Sequence, residues 1–128
     1  MVILLIEDDK LLSDMYTDGL KLEKHQVFSA KGAQQALNVL HEQKVEVVIL
    51  DLVLPGRSGV EVLHEMCSYP DWQRIPVILL SEYKKERFHI SLKDMEKYCV
   101  QRFLYKPEVT PQILNQTVKE VVRAAVQD

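Results

Sequence analysis

The stretch "VVILDLVLPG", residues 47 to 56, places a reactive group where a core residue would be expected. Val47, Val48, Ile49 and Leu50 read as a strand buried on both faces, and the run ends in Asp51. A carboxylate at the end of a core strand is poorly solvated and needs a partner or a reaction to perform. Other strand-like runs end in a similar way. "VILLI" is followed by Glu7-Asp8-Asp9, "PVILLS" ends in Ser81, and "RFLYKP" carries Lys106. Clustered carboxylates raise one another's pKa unless a cation neutralises them. Mg²⁺ prefers six oxygens, keeps several waters, and is typically held by one or two carboxylates together with phosphate. Asp8 and Asp51 can supply those carboxylates, with Glu7 or Asp9 holding a metal-bound water. Lys106 and Ser81 are surplus to metal binding and therefore point to an anion. The ammonium would pair one anionic oxygen, and the hydroxyl would donate to another.

Such a convergence needs a fold that gathers strand ends along one edge. Strand-like apolar runs fall at 2–6, 26–29, 45–50, 76–80 and 102–105. Between them the apolar period changes to that of helices. Leu11, Leu12, Met15, Tyr16 and Leu20 mark a face of the first helix. Ala33, Ala36, Leu37 and Leu40 mark the second, and Val60, Leu63 and Met66 the third. A fourth, more charged segment covers 84–97. The last helix opens with Thr110 as N-cap and Pro111 in its first turn, then runs through Ile113, Leu114, Thr117, Val118, Val121, Val122 and Ala125. Strand and helix alternate five times, which predicts an α/β fold, a doubly wound five-stranded parallel sheet with five helices in a three-layer sandwich. In open sheets of this kind, ligands bind outside the carboxyl ends of the strands. The acids, the serine and the lysine stand there.

The bulk properties narrow the function further. At 128 residues, 47% of them hydrophobic and 27% charged, the chain is expected to form a single domain over 1–128, since domains commonly run about 100–150 residues. A net charge of -3 provides no general affinity for nucleic acid or anionic membranes. No apolar run approaches the roughly 20 residues of a membrane span. The opening "MVILLIEDD" lacks the basic region of a signal peptide. Cys67 and Cys99 have neither metal-site spacing nor the numbers of a disulfide framework, and read as small apolar side chains in a reducing compartment. His25, His41, His64 and His89 read as unpaired surface residues. These features together predict a cytoplasmic protein.

"ILLIEDD", "VVILDLVLPGRSG", "PVILLS" and "FLYKP", in that order, resemble the receiver domain of two-component response regulators, over essentially the whole chain. The resemblance implies a flavodoxin-like sandwich that is not an enzyme in its own right but assists its own phosphorylation and dephosphorylation. Asp51 would be the phosphoacceptor, with Lys106 and Ser81 as its catalytic partners. Glu7 and Asp8 would form the acidic pair, and Mg²⁺ would lie among Glu7, Asp8, Asp51 and the Val53 carbonyl. Ser81 and Phe103 would form the switch, read out on the face of the fourth helix, fifth strand and fifth helix. The implied partners are a sensor histidine kinase or phosphotransfer protein and a downstream output protein or domain, with no membrane and no direct nucleic-acid contact. The Lys106-Pro107 bond is usually cis in this family.

Some positions depart from the family pattern. Glu82 stands where a small residue usually follows the switch serine, and Val53 replaces a common polar residue. Both are expected to slow small phosphodonors and attacking water. Cys99-Val100 replaces a common Gly-Ala pair, which makes an atypical fourth helix the expectation. The basic stretch Lys84, Lys85, Arg87, Lys93, Lys97 and Arg102, with Tyr83, Phe88, Tyr98 and Tyr105 among it, reads as a solvated or partner-binding face. Three rival functions share parts of this pattern. A haloacid-dehalogenase-like phosphatase needs a second acid where Val53 stands. A flavodoxin-like electron carrier would find its phosphate repelled by Glu7-Asp8-Asp9. A pseudo-receiver, an interaction module that is never phosphorylated, is the main alternative.

Overall fold

The computed structural model describes residues 1–54, 57–84 and 92–127. In chain order the elements are β1 (Val2–Ile6), α1 (Lys10–Lys21), β2 (Gln26–Ala30), α2 (Ala33–Glu42), β3 (Val47–Asp51), β4 (Val53–Leu54), β5 (Arg57–Ser58), α3 (Gly59–Cys67), β6 (Val77–Ser81), α4 (Leu92–Lys97), β7 (Val100–Tyr105) and α5 (Pro111–Gln127). Five strands form one parallel sheet in the order β2-β1-β3-β6-β7. The other two, β4 and β5, form a short antiparallel pair directly after Asp51. Sequence periodicity passes over that hairpin because two-residue strands are too short to show a period. Pro55 and Gly56, which stand between the two strands in sequence, lie outside the described residues.

Side chains alternate across each central strand, so each strand feeds two cores. Leu4, Ile6, Val48, Leu50, Val77 and Leu79 pack with Ala36 and Leu40 of α2 and Val62, Leu63 and Met66 of α3. Ile3, Leu5, Val47, Ile49, Ile78 and Leu80 pack with Tyr16 and Leu20 of α1 and Leu114, Val118 and Val121 of α5. The chain moves one way from β1 to β2 and the other way from β2 to β3. Right-handed crossovers therefore put α1 and α2 on opposite faces. The reversal leaves a crevice between the carboxyl ends of β1 and β3.

Close helix packing completes the α1/α5 layer. A Cβ on Gly19 would lie 2.7 Å from Cβ of Pro111, so only glycine permits this crossing. Asn115 Nδ2 donates to the Gly19 carbonyl at 2.9 Å, inside the contact. The α5 cap forms as expected, with Ile113 N–H donating to Thr110 Oγ1 at 3.1 Å.

The structure corrects several expectations. Leu11 is 80% exposed, and Met15, Val60 and Ile113 are exposed too, so the buried stripes of α1, α3 and α5 are narrower than the apolar pattern. Strand β7 begins at Val100, not at 102. Val77 and Ile78 pair with Val100 and Arg102, which leaves Gln101 as an extra residue, and such a bulge disrupts the period. Of the segment expected as the fourth helix, 92–97 is helical, while 85–91 falls outside the described residues. No cis peptide bond occurs among the described residues. The Lys106-Pro107 bond is trans, with Pro107 inside a 3₁₀ turn over Lys106–Glu108.

The histidines are also better partnered than expected. His25 Nδ1 lies 3.3 Å from the N-terminal ammonium. His64 shares a hydrogen bond with the Tyr98 hydroxyl, and His41 packs edge-on against Trp72. His89 lies outside the described residues. Cys67 and Cys99 are free and half-buried. In the basic stretch, Lys84 lies over the Tyr105 ring and Lys97 over the Tyr98 ring, at 5.9 and 5.4 Å. Lys85, Arg87 and Phe88 are not among the described residues. No described helix is long and apolar enough to cross a membrane.

Candidate functional site

Each site group is carried to the crevice by the element before it. Glu7 extends β1 by one residue, its N–H donating to the Ala30 carbonyl at 2.9 Å. Asp51 ends β3 opposite Leu80 of β6, and Ser81 pairs with Tyr105 of β7. Lys106 follows at once. The strand register, and not chance proximity, brings the four together.

Lys106 Nζ lies 2.8 Å from Glu7 Oε2 and 3.0 Å from Asp51 Oδ2. The Glu7 side chain is wholly buried, and those of Asp51 and Lys106 are 5% and 7% exposed. Glu7 Oε1 accepts from Asp9 N–H at 3.2 Å. Asp51 Oδ1 accepts from Val53 N–H at 3.0 Å, which holds the Val53 backbone beside the carboxylate. Asp8 is exposed at the mouth. Ser81 is fully buried, and its Oγ accepts from Tyr83 N–H at 2.9 Å. Phe103 is half-buried against the α2/α3 core. Above these groups opens a cavity of about 210 Å³, lined by acids, Lys106, Val53, Glu82 and Tyr83.

Burial and charge oppose each other at Glu7. Desolvation pushes its carboxyl from an ordinary 4.5 up to about 7; the Lys106 hydrogen bond pulls it down and the Asp51 charge pushes it up again. For Lys106, burial would lower the ammonium pKa. Hydrogen bonds and charges from Glu7 and Asp51 outweigh it and hold the pKa above its ordinary value.

A pH dependence follows. The folded state keeps a proton on Glu7 that the unfolded chain releases, so stability falls as pH rises from about 4.5 to 7. The loss is about 3 kcal/mol between pH 4 and 8, at about 1.36 kcal/mol per pKa unit. Urea unfolding of the parent and Glu7→Gln across that range isolates this contribution. The stability difference between the two should drift by about that amount, and a difference that stays flat would contradict the raised pKa.

The acids fit a hard cation. One carboxylate oxygen from each of Glu7, Asp8 and Asp51 lies within 4.8 Å of the others. All are oxygen donors, two are buried, and the exposed Asp8 leaves a path for water and ligand. Asp9 does not share that role. Its Oδ1 accepts from Leu12 N–H at 3.1 Å and caps α1.

Two neighbours escaped sequence reasoning. Tyr16, expected simply as core, lies close enough to feel the charges of Lys106, Glu7 and Asp51, although burial is the larger cause of its raised pKa. Gly59 had no assigned role, yet a Cβ there would lie 2.7 Å from the Asp51 carbonyl oxygen and 2.9 Å from Leu52 Cα. Both are backbone atoms that cannot turn aside. Gly59→Ala is expected to cost about 2 kcal/mol, in the range of overpacked sites, and to slow any reaction at Asp51 by shifting its backbone. Equilibrium unfolding checks the first effect, and an unchanged midpoint would show that the loop yields freely. The signal available in sequence was a glycine eight residues past Asp51 at a helix start, which alone specifies nothing.

Comparison with solved structures supports the same fold. The chemotaxis response regulator CheY4 of Vibrio cholerae superposes with a TM-score of 0.82 at 19% identity, covering 94% of this chain and 97% of that one. A sensor protein from Polaromonas sp. JS666 gives 0.86 at 18% identity, covering 97% of each. The signal receiver domain of a signal transduction histidine kinase from Syntrophus aciditrophicus gives 0.80 at 22% identity, covering 96% and 90%. At these identities the likeness establishes the fold alone. The sequence itself matches the family described as the response regulator receiver domain over residues 3–119. With nearly its whole length matched, the chain belongs to the family of response regulator receiver domains.

Proposed function

We propose that Asp51 accepts a phosphoryl group from a phosphohistidine of a sensor kinase or phosphotransfer protein, in a Mg²⁺-dependent reaction in the cytoplasm. The observation that carries this reading is a buried ammonium held between Glu7 and Asp51, with Asp8 open beside them. An Asp51 carboxylate oxygen forms the new O–P bond, and the P–N bond to the imidazole breaks. The electron pair leaves with the ring nitrogen, which then takes a proton. Transfer of this kind depends on positioning and charge neutralisation.

Glu7, Asp8, Asp51 and the Val53 carbonyl would hold Mg²⁺, which would supply positive charge against the phosphoryl oxygens. Lys106 would pair with another of those oxygens. Ser81 would leave its bond with Tyr83 N–H and donate to a further oxygen. Phe103 would then turn into the space released, altering the α4/β7/α5 face for a downstream partner. A protein donor is supported by apolar side chains near the mouth. Val53 is 56% exposed, and Leu11 and Ile113 stand open in the first turns of α1 and α5. Apolar surface of this kind favours protein contact.

The test is intact mass after incubation with acetyl phosphate, with Mg²⁺ or with chelator, beside transfer from a phosphorylated histidine kinase. A phosphoryl adduct formed only with Mg²⁺ is expected. No adduct from either donor would leave the pseudo-receiver as the reading.

Glu82 is exposed and lines the cavity through which a small donor enters. Its carboxylate would repel dianionic donors, and its bulk would obstruct the approach of attacking water. Glu82→Ala is expected to raise both phosphorylation by acetyl phosphate and loss of the adduct by about tenfold, equivalent to about 1.4 kcal/mol of barrier. Matching rates in parent and variant would remove Glu82 from the account.

A further inference from the structure

Cys67 and Cys99 stand far apart in sequence, yet the fold brings them to one contact at the pole of the sheet opposite the crevice. Cys67 is the last residue of α3, and Cys99 lies in the turn between α4 and β7. Two contacts dock these segments on each other. The Tyr98 hydroxyl lies 2.7 Å from His64 Nε2, one helical turn before Cys67. The Cys67 thiol donates to the Lys97 carbonyl at 3.8 Å. Cys99 follows Lys97 by two residues, and its N–H donates to the Glu96 carbonyl at 3.1 Å. That turn folds Cys99 back beside the carbonyl that Cys67 touches. The backbone is held at both ends, since Gln73 Nε2 donates to the Cys67 carbonyl and Val77 N–H to the Cys99 carbonyl, each at 2.9 Å.

The backbone at Cys99 is unusual. Its φ of 58° lies in the left-handed region, where glycine is favoured and a Cβ is strained. A side chain kept there against strain points to a use for that side chain. Both thiols are half-buried, and burial pushes both above their ordinary range. The charges of Lys97 on Cys67 and of Arg74 on Cys99 pull the other way, and charge on Cys99 is felt at Cys67. Thiols that stay largely protonated react slowly, so the pair remains reduced until oxidant persists. In a reducing compartment, a disulfide is transient and serves sensing or catalysis.

We propose that Cys67 and Cys99 form an oxidative modification site, closing to an intramolecular disulfide in the presence of a hydroperoxide. One thiolate attacks the peroxide. Its S–O bond forms as the O–O bond breaks, leaving a sulfenic acid and an alcohol or water. The second thiolate attacks that sulfur, the S–S bond forms, and hydroxide leaves. The two departing oxygens take up the two protons that the thiols release. The sulfurs together lose two electrons, which the peroxide gains. The bond would tie the end of α3 to the turn that leads into β7. Its formation does not depend on phosphorylation at Asp51.

The intact, reduced protein would be treated with hydrogen peroxide near neutral pH, then denatured and alkylated with N-ethylmaleimide. The parent is expected to lose about 2 Da, with both alkylation sites lost together. Digestion should yield a linked Cys67–Cys99 peptide, and dithiothreitol should restore both thiols. Cys67→Ser and Cys99→Ser each leave one thiol, which should gain oxygen atoms with no loss of 2 Da. The result on the parent decides the proposal even where a variant folds poorly. The proposal is overturned by separate gain of oxygen at both cysteines of the parent, by disulfide-linked dimers in place of the internal bond, or by two thiols that stay free to alkylate.

Discussion

Asp51→Asn is expected to abolish the phosphoryl adduct completely while leaving the fold intact. The amide is nearly isosteric and keeps one oxygen to accept from Val53 N–H, the bond that Asp51 Oδ1 makes at 3.0 Å. It lacks the anionic oxygen that would attack phosphorus. Intact mass with acetyl phosphate and Mg²⁺ reads the result, and an adduct that persists would place the acceptor elsewhere, Asp8 being the exposed carboxylate beside it. A second readout is independent of phosphorylation. The Asp51 charge is one cause of the raised Glu7 pKa, so its removal should let Glu7 ionise at lower pH. The fall in stability between pH 4 and 8 should then be smaller in this variant than in the parent.

Lys106→Met should have the largest effect on stability. The lysine bridges two carboxylates at 2.8 and 3.0 Å with almost no exposure of any of the three side chains. Removing one partner of a buried ion pair leaves charge without compensation, at a cost of about 3–5 kcal/mol. Here the cost is at the lower end, because Glu7 can take a proton near neutral pH. About 3 kcal/mol is expected at pH 7 in chelator. Millimolar Mg²⁺ should recover part of it, since a divalent cation can neutralise the same acids. Urea unfolding of parent and variant, with chelator and with Mg²⁺, measures both. Coincident curves would mean that burial of the lysine offsets all the attraction it provides.

The positions of the site groups were legible in sequence because strand-end chemistry is local. A continuous apolar run followed by an acid, a serine or a lysine marks both the strand and the end at which its functional group stands. The sheet order adds that these ends meet, and alternating strands and helices constrain the order strongly. What was not legible depends on tertiary context. Leu11 and Met15 obey the apolar spacing of α1 yet face outward, because spacing identifies an apolar side chain without saying whether this domain or a partner covers it. Asp9 carries the same chemistry as Asp8, and only the start of α1 assigns it to a cap. Gly59 escaped because a glycine's reason for being there is the atom that approaches it. The trans Lys106-Pro107 bond departs from the family's usual isomer within a 3₁₀ turn, a local detail that the residue pattern does not encode.

The crossing of α1 and α5 bears on how the chain matures as it is made. The Asn115 bond to Gly19 joins residues 96 positions apart, so a ribosome must release nearly the whole chain before the contact can form. Domains fold as units during synthesis, and apolar surface that waits for its cover invites aggregation. Until α5 emerges, the sheet face bearing Ile3, Leu5, Val47, Ile49, Ile78 and Leu80 has only α1 over it. The nascent protein therefore passes through its most vulnerable stage late, with the crevice acids already synthesised and one side of the sheet still wet.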